Sequence, residues 1–179
     1  MKDYPYINQN GKKRPQSKEW SDIRAEIMHL KTQLHLTDES FRALSPYEDY
    51  KGIEAQIYHT FCKIENGKAR PLALSECLNE QSYYRILSKS AEQYLCDLID
   101  PDETIWLGAL GTYKEQSKIW FYEGKIEAIM KILVETYFFD EFYLVSKKYD
   151  WLICINHNNL IAIGKDMPQK LKVIAENEG

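Results

Sequence analysis

Long apolar runs are missing from this sequence. The longest stretches, such as Ile105 to Gly111 and Trp151 to Ile155, fall far short of the roughly 20 residues a bilayer helix needs, so no helical membrane span is expected. The start, Met1-Lys2-Asp3-Tyr4-Pro5, has no apolar h-region, so no signal peptide is predicted and a cytoplasmic location is expected. Cysteine is sparse: Cys62, Cys77, Cys96 and Cys154 follow one another at intervals of 15, 19 and 58 residues. That spacing matches neither a disulfide-dense small scaffold nor a paired C-x-x-C zinc pattern, and buried reduced thiols are the plain expectation. There is no internal repeat and no low-complexity segment. Charge of neither sign dominates, with 23 basic against 27 acidic residues and a formal net charge of -4.

What is present is enough for one compact core. The chain has 179 residues, 44% hydrophobic and 13% aromatic, so burial can offset the entropy of folding and disorder of the whole is excluded. Residues 1–16 carry Pro5, Gly11, Pro15 and the run Lys12-Lys13-Arg14 without an apolar period, which predicts a flexible basic arm. Residues 17–179 are expected to form a single α+β domain, with a helical half over 17–100 and a sheet half over 101–179.

In the first half, Ser17 is a plausible N-cap, and Trp20, Ile23, Ile27, Leu30 and Leu34 recur at helical steps. A short helical turn is predicted over Thr37 to Leu44 before Pro46. Residues 53–64 fit a helical stripe through Ile53, Ile57, Phe61 and Ile64, while Asn66-Gly67 equally suits a hairpin turn. Helix is favoured there, with Gly67 as a left-handed cap. From Ser82, the positions Tyr83, Ile86, Leu87, Ala91, Tyr94, Leu95 and Leu98 predict the longest helix of this half, ending before Pro101.

After Pro101, short β-branched and aromatic runs alternate with turn signals. Thr104 to Leu110 and Lys118 to Tyr122 predict a hairpin. A helix follows over about Lys125 to Tyr137, its core stripe running through Ile126, Ile129, Met130, Leu133, Val134 and Tyr137. Strands over Phe142 to Ser146, Trp151 to Asn156 and Leu160 to Gly164 come next, and a last helix begins near Asp166 with Pro168 in its first turn. The order ββαβββ over residues 104–164 predicts N-terminal helices packed on an antiparallel sheet of about five strands. Strands such as Trp151 to Ile155, apolar on both alternating sets, call for cover on both faces.

No assembled catalytic motif stands out. His29 and His35 are six apart on one helix and do not share a face as a zinc pair would. Cys154 and His157 have ligand-like spacing, yet in a strand they would face apart, so neither metal nor cofactor is expected. The chain has no G-x-S-x-G, and Gly108-Ala109-Leu110-Gly111 lacks the lysine and helix start of a phosphate loop; a bulge or hairpin corner accounts for it.

An acidic stretch is the stronger signal. Glu92, Asp97, Asp100, Asp102 and Glu103 fall between Ser90 and Tyr113 with no Lys or Arg among them. Three of them crowd the end of the predicted helix, where the macrodipole favours cations. A bound divalent cation, a basic partner surface and plain solvation are the alternatives, solvation being the commonest for acidic turns. The basic arm with Tyr4 and Tyr6 is a possible phosphate contact, but the sequence pI near 5.6 and the lack of a recurring basic stripe weigh against nucleic acid. Thirteen tyrosines against 6 phenylalanines suit a protein-binding surface, as half-buried sheet tyrosines also would.

The run Phe142 to Gly164, FYLVSKKYDWLICINHNNLIAIG, resembles the closing segment of an uncharacterised bacterial domain-of-unknown-function family, and Trp120-Phe121-Tyr122-Glu123-Gly124 fits the same pattern. The resemblance covers about the last third of the chain and implies a bacterial cytoplasmic setting. Relatives often carry a second histidine where this chain has Asn158, which weighs against a metal or catalytic role for His157 here.

The function expected from these residues is a non-enzymatic protein-interaction domain, in its sharpest form a toxin-immunity-type binding protein. Asp97, Asp100, Asp102, Glu103 and Tyr113 would face the partner. The alternative is a small hydrolytic enzyme with His157 as acid or base near the sheet edge. The oligomeric state is left open.

Overall fold

The computed structural model describes residues 22–45, 47–64, 71, 73–80, 83–87, 94–111, 119–136, 139–156 and 159–177. The predicted basic arm, Gly67, Glu92, Tyr113, Tyr137 and His157 lie outside these residues.

Among the described residues the architecture is α+β. Five helices, α1 (Asp22–Gln33), α2 (Tyr50–Phe61), α3 (Leu95–Leu98), α4 (Ile126–Val134) and α5 (Met167–Asn177), surround one antiparallel sheet. Its strands are β1 (Phe41–Ala43), β2 (Tyr83–Leu87), β3 (Thr104–Gly111), β4 (Trp120–Lys125), β5 (Phe139–Ser146), β6 (Leu152–Asn156) and β7 (Asn159–Ile163). The seven strands lie in the order β1-β4-β3-β5-β6-β7-β2. The ββαβββ order of the second half is therefore observed, but the sheet is two strands wider than expected. Both extra strands come from the half read as helical and take the two opposite edges.

Their misreading has a local cause. Phe41–Ala43 is too short to show a period, and it becomes a strand because β4 offers Tyr122, Glu123 and Gly124 as pairing partners. Tyr83, Ile86 and Leu87 mimic helical spacing, yet the chain from Tyr83 to Leu87 pairs residue by residue with β7. There Tyr84 and Ile86 turn to one face of the sheet and Tyr83 to the other, the period of two that pleating imposes. Of the predicted long helix, Tyr83–Leu87 is strand and Leu95–Leu98 is helical as α3, while residues 88–93 lie outside the described residues. The predicted helix over 53–64 is observed, but it ends at Phe61, with Cys62 as an extended cap.

The doubly apolar strands are covered on both sides, as their composition requires. On the first face, α1 contributes Ile23, Ile27 and Leu30, α4 contributes Ile126, Ile129, Ile132 and Leu133, and α5 contributes Met167 and Leu171. They close over Leu107, Leu144, Ile153 and Ala162 of the sheet. On the second face, α2 presents Ile57, Tyr58 and Phe61, and the short 3-10 helix Leu74–Glu76 presents Leu74. These pack on Phe121, Tyr143, Val145, Leu152, Cys154 and Ile161. Val134, expected in the core stripe of α4, is instead 49% exposed in the helix's final turn.

Two glycines have specific roles. Gly164 turns the chain from β7 toward α5 at φ +84°, and a Cβ there would lie 2.4 Å from the carbonyl oxygen of Asp150. Gly108 lets Tyr143 lie close over β3, since an added Cβ would come within 3.0 Å of its ring. The expected bulge is present, with the β3–β5 register slipping between Leu110 and Gly111.

Candidate functional site

The acidic surface is built by a tight turn rather than by a helix end. Leu95, Leu98 and Ile99 point inward, which leaves Cys96, Asp97 and Asp100 exposed. The Asp100 side chain accepts a hydrogen bond from the backbone N–H of Asp102 at 2.9 Å, and its carbonyl accepts from Glu103 N at 3.1 Å. Asp102, 94% exposed, reaches the Lys125 ammonium at 3.6 Å. Among the described residues α3 has only four residues, which carry little macrodipole to oppose these carboxyl groups. The Cys96 thiol is pushed up by burial first and then by Asp97 and Glu127, which brings the first turn of α4 into the same acidic neighbourhood. Asp97, Asp100 and Asp102 are thus together and open to water, while Glu103 is half-buried. Cys96 also departs from the expectation of buried thiols.

A second group of polar residues, not singled out by sequence reasoning, lies under the second face. Glu141 is 3% exposed and accepts from the Tyr143 hydroxyl at 2.5 Å and from the backbone N–H of Ser75 at 3.1 Å. Tyr143 in turn accepts from Leu74 N at 3.1 Å. Burial, then the nearby Glu141, pushes the Tyr143 hydroxyl well up from the ordinary tyrosine range. Cys154, fully buried, is pushed well up by the same two causes in the same order. A carboxyl group and a phenol here anchor the 3-10 helix to the sheet. The available signal was a glutamate two residues before Tyr143 and four before Val145, so that all three share one strand face.

A third group rims that face. Arg42 holds Glu48 with two hydrogen bonds of 2.9 and 2.8 Å and Glu123 with one of 2.8 Å. Lys147 adds 2.9 Å to Glu123 and stands 4.5 Å from the centre of the Trp106 ring. Arg42 and the Ser45 N–H hold the Glu48 carboxyl down at about 2. Burial raises Glu123, but Lys147 and Arg42 together overcome it, so its net shift is downward. Arg42 and Glu123 are direct cross-strand partners in β1 and β4, a juxtaposition invisible until β1 is recognised as a strand.

Among the described residues, no group of three or more His, Cys, Asp or Glu side chains is arranged to hold a metal ion. Nor is any described helix long and apolar enough to cross a membrane. Asn156 closes the β6–β7 turn by accepting from Asn159 N at 3.1 Å. The residues His157 and Asn158 within that turn, with Tyr113, lie outside the described residues.

No curated protein and no solved structure matches the chain. A family model does match, over residues 19–175, and so spans elements of both halves of the sheet. The chain therefore belongs to the family described as a family of unknown function (DUF6756).

Proposed function

We propose that this chain is a non-enzymatic protein-interaction domain of the bacterial cytoplasm that presents Asp97, Asp100 and Asp102, flanked by Glu103, to a basic partner surface. A toxin-immunity-type pairing is its most specific form: an acidic face set against a basic catalytic cleft. The observation that carries the reading is the exposure of these carboxyl groups side by side, with α4's Glu127 extending the patch. Buried apolar residues of α3 fix the turn from below, so the charges need little ordering on binding. Complementary charge of this kind governs encounter rate and partner choice more than raw affinity.

The test is a binary affinity measurement with a partner purified from the native host. Asp97→Lys/Asp100→Lys/Asp102→Lys is expected to weaken binding at least about tenfold and to flatten its salt dependence, with the circular dichroism of the fold unchanged. Unchanged affinity would place the interface elsewhere. The competing proposal, a small hydrolase using His157, is separated by His157→Ala: a hydrolase loses turnover, whereas an interaction domain keeps its affinity.

A further inference from the structure

We infer that Cys62 and Cys77 form a reversible disulfide, a thiol-redox modification site that staples the end of α2 to the 3-10 helix on the second face of the sheet. The two residues are 15 apart in sequence, and both are thiols in this structure, the Cys77 Sγ donating to the Cys62 Sγ across 2.7 Å. That is closer than two non-bonded sulfurs ordinarily rest, and about 0.7 Å beyond a disulfide bond length of ~2.05 Å.

The backbone holds the pair in place without the bond. Cys62 pairs antiparallel with Leu78, the Lys63 N–H donates to the Cys77 carbonyl at 2.8 Å, and the Asn79 N–H donates to the Phe61 carbonyl at 3.0 Å. The two short segments are therefore clamped on either side of the sulfurs, and oxidation needs little backbone movement.

The other thiols are worse partners. Cys154 lies fully buried in the second-face core, its thiol pushed well up by burial and then by Glu141. Cys96 belongs to the surface turn around α3, where burial and the carboxyl groups of Asp97 and Glu127 disfavour its thiolate. Cys62 is half-exposed and Cys77 is 7% exposed, so a small oxidant meets Cys62 first.

The oxidant class is a low-molecular-weight disulfide, RSSR. The Cys62 thiolate attacks one of its sulfurs, giving a Cys62–S–S–R mixed disulfide and releasing RS⁻, which takes up a proton as RSH. The Cys77 thiolate then attacks the Cys62 sulfur, the S–S bond of the mixed disulfide breaks, and a second RS⁻ leaves and takes up a proton as RSH. The protein loses two electrons and two protons, the small disulfide gains them, and excess dithiol reductant reverses the sum. The product fixes Leu74–Glu76 where the N–H groups of Leu74 and Ser75 already meet Tyr143 and Glu141.

The experiment equilibrates the full chain with graded ratios of oxidised to reduced glutathione, followed by thiol counting under denaturing conditions, peptide mapping and thermal unfolding. The expected result is a fall from four thiols to two, a Cys62–Cys77 cross-linked peptide, and a melting temperature raised by about 5–10 °C that returns on adding dithiothreitol. Cys96→Ser should keep both linkage and shift, and Cys62→Ser should lose both. Glutathione retained on Cys62, a Cys77–Cys154 linkage, or four thiols persisting through the series would each overturn the inference. Mapping of the wild-type chain decides the matter even where Cys62→Ser fails to fold.

Discussion

The two faces of the sheet are stabilised by different means. The first is closed by four helices, and its sheet-side contacts, Leu107, Leu144, Ile153 and Ala162, are wholly apolar and 0% exposed. Over the second, the described residues contribute α2 and the 3-10 helix, and a polar centre of Glu141, Tyr143 and Cys154, rimmed by Arg42, Glu48, Glu123 and Lys147, complements the apolar packing. Apolar burial is tolerant of small shifts, whereas a buried hydrogen-bonded centre demands one geometry and is costly when incomplete. The second face is accordingly where a short, irregular segment, Leu74–Glu76, can be held in a defined place.

Leu107 and Gly108 of β3, with Tyr143 opposite Gly108 on β5, offer the sharpest way to break this comparison. Leu107→Ala opens a cavity on the first face and is expected to cost about 3–4 kcal/mol, read by chemical denaturation. Tyr143→Phe, which removes one hydroxyl from the second face, is expected to cost about 2 kcal/mol, because Leu74 N–H loses its acceptor and Glu141 a donor. Its signature is faster hydrogen exchange at the Leu74 amide with the first-face helices unaffected; uniform loss of protection would mean that the faces do not respond separately. Gly108→Ala pushes a methyl group against Tyr143 and Phe121 and should cost about 1–2 kcal/mol, again with the 3-10 helix loosened first.

The rim should be visible in the acid limb of stability. The Glu48 carboxyl sits at about 2 in the folded chain against 4.5 ordinarily, so its contribution is complete above about 4.5 and fades as the pH falls toward 2. Because its side chain is 35% exposed, solvent screening reduces that contribution to about 1 kcal/mol. Arg42→Met should flatten the stability profile over that interval, and an unchanged profile would remove the rim from the account. Least affected in stability is the acidic turn, where the triple lysine substitution at Asp97, Asp100 and Asp102 removes the Asp100 turn bond and the exposed Asp102–Lys125 pair and should cost no more than about 1 kcal/mol while altering partner affinity.

Much of the second half was legible because its elements are long enough to show their period. Ile126, Ile129 and Leu133 of the expected stripe are buried in α4, and the doubly apolar β6 announced that it would be covered twice. The edge strands were not legible in the same way. Three residues at Phe41–Ala43 carry no period, and Tyr83, Ile86 and Leu87 carry a misleading one; each became a strand through the partner it met. Of the acidic stretch, composition alone identified the residues, but their joint exposure followed from the turn at Asp100. Glu141 and Tyr143 share a face by their spacing in β5, but the backbone they hold, Leu74 and Ser75, met them only through the tertiary structure.

The order of elements after Pro101, the apolar stripes of α1 and α4 and the two-sided cover of the central strands were determined by the sequence itself, since local periodicity directs which side chains leave water. Tertiary structure alone decided the seven-stranded width, the anchoring of Leu74–Glu76 on Glu141 and Tyr143, and the meeting of Cys62 with Cys77. Each depends on segments distant in the chain approaching within hydrogen-bond or sulfur–sulfur contact, and no local pattern encodes such an approach.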